Sequence, residues 1–166
     1  MKIFLVGMPG SGKTTFGKQL AARLMIDFVD LDAEIEKAEA KTIPRIFKDD
    51  GEGYFRMVES RLLREWAGAS TSFVMATGGG APCFFEGMEA INQSGISIFL
   101  DVPVARLLAR VKENKGRPLL LHEGDEHLME KLTTMRNSRL QCYRKSHITV
   151  RDSSLNDVLE KIKAIS

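Results

Sequence analysis

The stretch GMPGSGKT, residues 7–14, decides the fold of this chain. It fits the pattern G-x-x-x-x-G-K-[ST], and it stands between the apolar run Ile3–Val6 and a helical pattern that begins near Lys13. Glycines let backbone N–H groups surround a phosphate chain, and the start of a helix adds partial positive charge. Lys13 would reach the β and γ phosphates, and the Thr14 hydroxyl would be a ligand for Mg²⁺. We therefore expect ATP with magnesium here rather than a bare strand–helix turn, and no N-K-x-D-like signal favours GTP.

Composition bounds the remaining possibilities. The chain has 166 residues, of which 43% are hydrophobic and 28% charged, so it is long enough for one well-buried core and too short for two ordinary domains. The net charge of +2 and the lack of a long basic run argue against a nucleic-acid surface. Cys83 and Cys142 stand far apart, as is typical of a reduced cytosolic chain, and no apolar run is long enough to cross a membrane. We expect a single domain over residues 1–166 in a cytoplasmic monomer that binds neither nucleic acid nor membrane.

Short apolar runs alternate with helical patterns along the chain. The runs that predict strands are Ile3–Val6, Phe28–Leu31, Phe73–Ala76, Ile96–Leu100 and His147–Val150. The helical patterns cover about residues 13–24, 32–38, 44–48, 54–67, 104–111, 126–143 and 155–162, with a turn at 50–53. This alternation predicts right-handed crossovers and a parallel sheet covered by helices on both faces. Residues 112–126 fit no period, and their leucines favour a lid that closes over a ligand rather than an ordinary surface loop.

Asp30 and Asp32 stand at the end of the second predicted strand. In an extended chain alternate side chains share a face with about 3.3 Å of rise per residue, so the two carboxylates would lie roughly 6–7 Å apart. A magnesium ion beside phosphates needs one carboxylate, usually through water, and the second carboxylate could bind an acceptor hydroxyl. We therefore assign Asp30 to the metal and Asp32 to the substrate. The competing interpretation is that aspartate simply ends the strand and caps the next helix.

Three further features indicate an anionic acceptor beside the phosphates. The glycine triplet 78–80 suggests backbone in close contact with a ligand, although it could be a flexible turn. Arg139 falls on the apolar stripe of the 126–143 helix, where a guanidinium is costly unless an anion meets it. Arg56 lies at the rim of another apolar face, and two such arginines would suit a clamp on a small carboxylate. The alternatives are that Arg139 snorkels or pairs with a carboxylate of the protein, and that Arg56 pairs with Glu59.

Six motifs in the same order resemble the shikimate kinases, a family of P-loop enzymes similar to the nucleoside-monophosphate kinases. The motifs are GMPGSGKTT at 7–15, DLDAEIE at 30–36, IFKDDGEGYFRMVE at 46–59, TGGGA at 77–81, RPLL at 117–120 and RLQCY at 139–143. The resemblance implies a three-layer α/β/α sandwich with a five-stranded parallel sheet in the order 2-3-1-4-5, a shikimate-binding region at about 31–60 and a lid at about 112–126. It also implies phosphorylation of the 3-hydroxyl of shikimate, with ATP as co-substrate and one Mg²⁺ ion.

The resemblance carries roles onto individual residues. The ATP-binding set that it implies is Gly10, Ser11, Gly12, Lys13, Thr14, Thr15, Arg110 and Arg117. Thr14 and Asp30 would hold Mg²⁺, and the implied substrate-binding set is Asp32, Arg56, Gly79, Gly80 and Arg139. Lys13, Asp32 and Arg117 would act in catalysis, Arg117 by moving with the lid and Arg110 by lying against the adenine. One departure stands after the last strand, where Asp152–Asn156 replaces the Arg/Asn/Pro-rich turn that members often carry.

Two other functions fit parts of the pattern. A small P-loop kinase acting on gluconate would also need sites for a carboxylate and hydroxyls, but the set of Asp32, Arg56, the glycine triplet and Arg139 favours a shikimate-like ring. A catalytically silent ATP-binding module is the alternative from a different class. Against it stand five intact residues that a silent protein need not keep, namely Lys13, Thr14, Asp30, Asp32 and Arg117.

Overall fold

The computed structural model describes residues 1–113 and 124–166 of the chain. Its sheet has five strands, all paired in parallel, in the order β2-β3-β1-β4-β5. The strands are β1 Lys2–Val6, β2 Asp27–Asp30, β3 Phe73–Ala76, β4 Ile96–Leu100 and β5 Ile148–Val150. The strand order that the resemblance implied is therefore confirmed.

Helices cover both faces of this sheet. They are α1 Lys13–Leu24, α2 Leu31–Glu39, α3 Ile43–Gly68, α4 Gly87–Ser94, α5 Val104–Glu113, α6 Asp125–Tyr143 and α7 Leu155–Ile165, with a 3₁₀ turn at Ala81–Cys83. No helix in the described part of the chain is both long and apolar enough to cross a membrane.

The alternation of side chains along β1 divides the core into two layers. Phe4 and Val6 pack on one face with residues of α2, α3, α5 and α6, whereas Ile3 and Leu5 pack on the other with residues of α1 and α7. All four side chains are buried, as expected for a central parallel strand covered on both faces. The α/β/α sandwich is confirmed, and the carboxyl ends of β1, β2 and β3 meet at one edge, where ligands bind in folds of this kind.

Two details differ from the sequence-based expectation, and a third prediction falls outside the described residues. The turn at 50–53 is reduced to a kink, because only Gly51 leaves the helical conformation (φ +85°) inside the otherwise continuous α3. Helix α4 was not predicted, although Met88 and Ile91 bury one face of it. The predicted lid at 112–126 lies largely outside the described residues, and so does Arg117.

Candidate active site

The phosphate-binding loop at residues 7–14, the P-loop, connects β1 to α1. Gly10 and Gly12 have φ of +81° and +91°, a region in which a side chain would be strained, and Gly12 directly precedes the helix. The loop is tied internally, since the N–H of the buried Ser11 donates to the carbonyl of Met8 at 3.1 Å. Thr14 and Thr15 follow in the first turn of α1, and both are exposed. The N–H groups of this first turn are available to phosphate oxygens.

Lys13 bends back over the loop. Its Nζ donates to the carbonyl oxygens of Gly7 at 2.8 Å and Met8 at 2.9 Å, and the residue is only 9% exposed. The ammonium group therefore lies within the loop that would hold the phosphates. Because the ammonium group is already held beside the loop, it can contact phosphate oxygens after only a small movement.

The two aspartates are arranged differently from the extended geometry that the sequence predicted. β2 ends at Asp30, and Asp32 lies in the first turn of α2. The physical cause is that Asp30 Oδ1 accepts hydrogen bonds from the N–H groups of Asp32 at 3.0 Å and Ala33 at 3.3 Å, which starts the helix. Asp30 Oδ2 accepts a hydrogen bond from the Thr14 hydroxyl at 3.3 Å. Asp30 thus caps a helix with one oxygen and meets the P-loop threonine with the other.

Asp32 lies beside a second, buried carboxylate. A Cβ atom built on Gly78 would stand 3.1 Å from Asp32 Oδ1 and 2.7 Å from Glu59 Oε2, so both side chains press on the first glycine of the triplet. Glu59 is almost fully buried. Its burial raises its pKa above the ordinary value, the guanidinium of Arg56 opposes that rise, and the charge of Asp32 adds to it.

Arg56 is fixed in a closely packed position between Glu59, Phe84 and Gly80. Its Nη1 donates to Glu59 Oε1 at 2.8 Å, and its guanidinium lies 4.2 Å from the centroid of the Phe84 ring. A Cβ atom on Gly80 would overlap the guanidinium. Arg56 Nε makes an ion-pair contact with Glu52 at 3.5 Å but has no hydrogen-bond partner among the described residues. Arg56 therefore pairs with Glu59 and contacts the glycine triplet at the same time.

Arg139 reaches the triplet from α6. The apolar stripe of this helix is present, with Leu128 and Leu132 buried, and Arg139 follows on it. A Cβ atom on Gly79 would stand 3.0 Å from Arg139 Nη1 and 2.9 Å from Pro9 Cδ of the P-loop. In the described part of the chain no carboxylate forms an ion pair with Arg139. The expected alternative, a protein carboxylate as its fixed partner, therefore finds no support there.

Arg110 joins the P-loop from α5. Its Nη1 donates to the carbonyl of Gly10 at 3.1 Å. The segment after β5 is where family members often carry the turn that packs on adenine. Here Asp152 forms an ion pair with Arg106 at 2.7 Å, and Ser154 caps α7. The polar residues after β5 are thus engaged within the protein.

Glu59 and Tyr143 are two buried polar residues of this site that the sequence did not assign to it. In the sequence, Glu59 stands out only as a competing partner for Arg56, and Tyr143 only as part of the motif at 139–143. The Tyr143 hydroxyl donates to the carbonyl of Gly79 at 2.5 Å. The signal available in the sequence was spacing: Glu59 stands three residues after Arg56, and Tyr143 stands four residues after Arg139, so each pair shares a helix face.

The described residues contain no group of three or more histidine, cysteine, aspartate or glutamate side chains that could hold a metal ion. A magnesium ion that binds with ATP does not need such a cage, because it is usually held by one or two protein ligands, by the phosphates and by water. The adjacent oxygens of Thr14 and Asp30 fit that kind of site.

The P-loop lies at the carboxyl edge of a parallel sheet whose strand order is 2-3-1-4-5. Beside it lies a subsite formed by two arginines and two carboxylates, Arg56, Arg139, Asp32 and Glu59. These features together define a small P-loop kinase. The family model for shikimate kinase matches residues 9–166. The shikimate kinase of Bacteroides fragilis is 40% identical over 95% of this chain and 88% of its own length. The chain belongs to the shikimate kinase family.

Two solved structures have the same fold. A shikimate kinase from Acinetobacter baumannii in complex with shikimate is 38% identical, with a TM-score of 0.86 over 99% of this chain and 91% of that one. The shikimate kinase from Bacteroides thetaiotaomicron is 34% identical, with a TM-score of 0.87 over 99% of this chain and 96% of that one.

Proposed function

We propose that this chain transfers the γ-phosphoryl group of ATP to the 3-hydroxyl of shikimate, which gives shikimate 3-phosphate and ADP. The reaction is a step in chorismate and aromatic amino acid biosynthesis. The observation that carries the proposal is the convergence of Arg56 and Arg139 on the glycine triplet, beside Asp32 and in contact with Pro9 of the P-loop. An anionic, hydroxylated acceptor bound there would lie next to the phosphate site.

The two arginines would bind the shikimate carboxylate. Arg56 is held by Glu59 and Phe84, and Arg139 has no carboxylate partner in the described part of the chain. Charge-assisted contacts from guanidinium groups are worth about 1.5–3 kcal/mol each when they are well oriented. The N–H groups of Gly79 and Gly80 would donate to the same molecule, since neither residue has a side chain to block its approach.

Asp32 would accept a hydrogen bond from the acceptor hydroxyl and take up its proton during transfer. Lys13 would follow the γ-phosphate and offset the charge that develops on it. Most of the rate enhancement in phosphoryl transfer comes from positioning and charge stabilisation, and the packed site supplies both. Arg110 would lie near the adenine, while Arg117 and a lid at 112–126 remain predictions on residues that are largely outside the described part.

One Mg²⁺ ion would be held through Thr14 and Asp30, whose oxygens lie 3.3 Å apart. When bound, such an ion neutralises phosphate charge and orients the nucleotide. The monomeric state, the single domain and the cytoplasmic location also remain predictions from the sequence.

A coupled assay that records ADP release tests the proposal. Purified protein with Mg²⁺ and ATP should turn over with shikimate, and much more slowly with gluconate or without an acceptor. Lys13→Met should abolish the turnover while the protein stays folded. Equal rates with gluconate, or ADP release that does not depend on shikimate, would contradict the proposal.

A further inference from the structure

Tyr143 is a fully buried tyrosine at the end of α6, and its hydroxyl reaches the substrate side of the site. The residue is inaccessible to solvent, and its hydroxyl donates to the carbonyl of Gly79 at 2.5 Å. Its ring packs against Phe99 with a centroid separation of 5.1 Å. A phenylalanine would make the same ring contact, so the hydrogen bond to Gly79 is what the hydroxyl adds.

The carbonyl of Gly79 belongs to the same rigid peptide group as the N–H of Gly80. A peptide group is planar, and the chain has no cis peptide bond among its described residues. In a trans peptide the C=O and N–H bonds point in opposite directions, so fixing the carbonyl also fixes the N–H. Two adjacent glycines would otherwise have unusual conformational freedom. Since the Gly79 carbonyl points toward Tyr143, the Gly80 N–H points away from it. No acceptor within the described residues takes this N–H.

Arg139 lies beside the same peptide, because its Nη1 would stand 3.0 Å from a Cβ atom built on Gly79. Burial raises the pKa of Tyr143 well above its ordinary value, and the charge of Arg139 opposes that rise only in part. The hydroxyl is therefore protonated at neutral pH and can donate the hydrogen bond to Gly79.

We propose that Tyr143 is a positioning residue for the acceptor: its hydroxyl holds the Gly79–Gly80 peptide in the one orientation that turns the Gly80 N–H toward the acceptor, beside the guanidinium of Arg139. The inference rests on the proposed function, because the Gly80 N–H and Arg139 act on the shikimate molecule there. Tyr143 itself does not touch the reacting atoms. It acts by reducing the conformational freedom that this peptide group would otherwise lose on binding.

The chain offers a matched control, since its two tyrosines are Tyr54 and Tyr143. The Tyr54 hydroxyl donates to Glu39 at 2.6 Å at a partly exposed position on α3. Tyr143→Phe should raise the KM for shikimate by about three- to tenfold, the equivalent of one lost neutral hydrogen bond, and leave the KM for ATP unchanged. Tyr54→Phe should leave both KM values unchanged. If Tyr143→Phe lowers the melting temperature but alters neither KM, the residue is only structural and the inference is wrong.

A second measurement decides the question even if Tyr143→Phe does not fold. In Tyr54→Phe protein labelled with 3-fluorotyrosine, the ¹⁹F resonance reports on Tyr143 alone, and the hydroxyl is kept. Saturating shikimate should shift that resonance, and a resonance that does not move would overturn the inference. Absence of shikimate turnover in the unaltered protein would instead overturn the proposed function, and the inference with it, so the two failures are distinguishable.

Discussion

The Thr14 hydroxyl donates a hydrogen bond to Asp30 Oδ2 at 3.3 Å, and this contact joins the first turn of α1 to the end of β2. The second carboxylate oxygen of Asp30 caps α2. The same side chain thus serves a structural role with one oxygen and is placed beside the proposed metal site with the other.

Asp30→Asn should separate these two roles. Asparagine caps helices about as well as aspartate, so the melting temperature should hardly change. The lost charge should raise the Mg²⁺ concentration needed for half-maximal activity, because Mg²⁺ prefers carboxylate oxygen. A magnesium titration at saturating shikimate and ATP checks this. Asp32→Asn is the comparison: it should raise the KM for shikimate and lower kcat, with Mg²⁺ dependence unchanged. If both variants shift only the Mg²⁺ requirement, the division of labour between the two aspartates is wrong.

Gly80→Ala should displace Arg56 without straining the backbone. The φ of Gly80 is −91°, which any residue adopts, but the new methyl group would overlap the guanidinium. We expect the KM for shikimate to rise at least about tenfold, since a charge-assisted contact is lost or weakened. Gly53→Ala, where a Cβ meets nothing within 4 Å, should leave the kinetics unchanged. An unaltered KM in Gly80→Ala would show that Arg56 does not contact the acceptor.

Glu59 should make stability fall as the pH rises. Its folded pKa is raised above the ordinary value of 4.5, so its stabilising contribution is complete below that value and is lost as the pH rises through the folded pKa. Denaturant unfolding between pH 4 and 7 should show wild-type protein losing stability relative to Glu59→Gln as the pH increases.

Glu89 provides a control of opposite sign. The hydrogen bond from Lys145 lowers the pKa of Glu89, so its contribution is present above the ordinary value and is lost as the pH falls through the folded pKa. Wild-type protein should therefore lose stability relative to Glu89→Gln on acidification. Parallel pH profiles for Glu59→Gln and wild type would refute the raised pKa of Glu59.

Arg139→Leu should separate substrate binding from stability. The change continues the apolar stripe of Leu128 and Leu132, and no carboxylate in the described part of the chain is left without its partner. The melting temperature of the protein alone should stay the same or rise. Shikimate binding should weaken by about one to two orders of magnitude, and ATP affinity should hardly move. A large loss of stability would show that Arg139 has a structural partner, and an undiminished shikimate-induced shift of the melting temperature would exclude the clamp.

The sheet and the P-loop could be predicted from the sequence because their signals are local. Four apolar residues followed by the glycine–lysine pattern specify β1, the loop and the start of α1 without reference to the rest of the chain. The end of β2 was harder to predict from the sequence. Whether Asp30 extends a strand or caps a helix depends on a competition between two backbone conformations, and its side chain decides it by binding the N–H groups of Asp32 and Ala33.

The contacts that the sequence missed join distant parts of the chain. Tyr143 and Gly79 are 64 residues apart, and only the packing of α6 against the segment after β3 brings the hydroxyl to the carbonyl. Glu59 is similar: a glutamate three residues after an arginine usually indicates an exposed pair, and its burial beside Gly78 follows from the position of α3 over the sheet.

The position of the transferred phosphate tests the central claim most directly. Purified protein, Mg²⁺, ATP and shikimate should yield one new phosphomonoester, and ³¹P–¹H correlation NMR should place it on the oxygen attached to carbon 3 of shikimate. The account predicts this product in the unaltered protein, and none of it in Lys13→Met or with gluconate as the only acceptor. A phosphate on a different hydroxyl, or ADP formation without any phosphorylated shikimate, would contradict it.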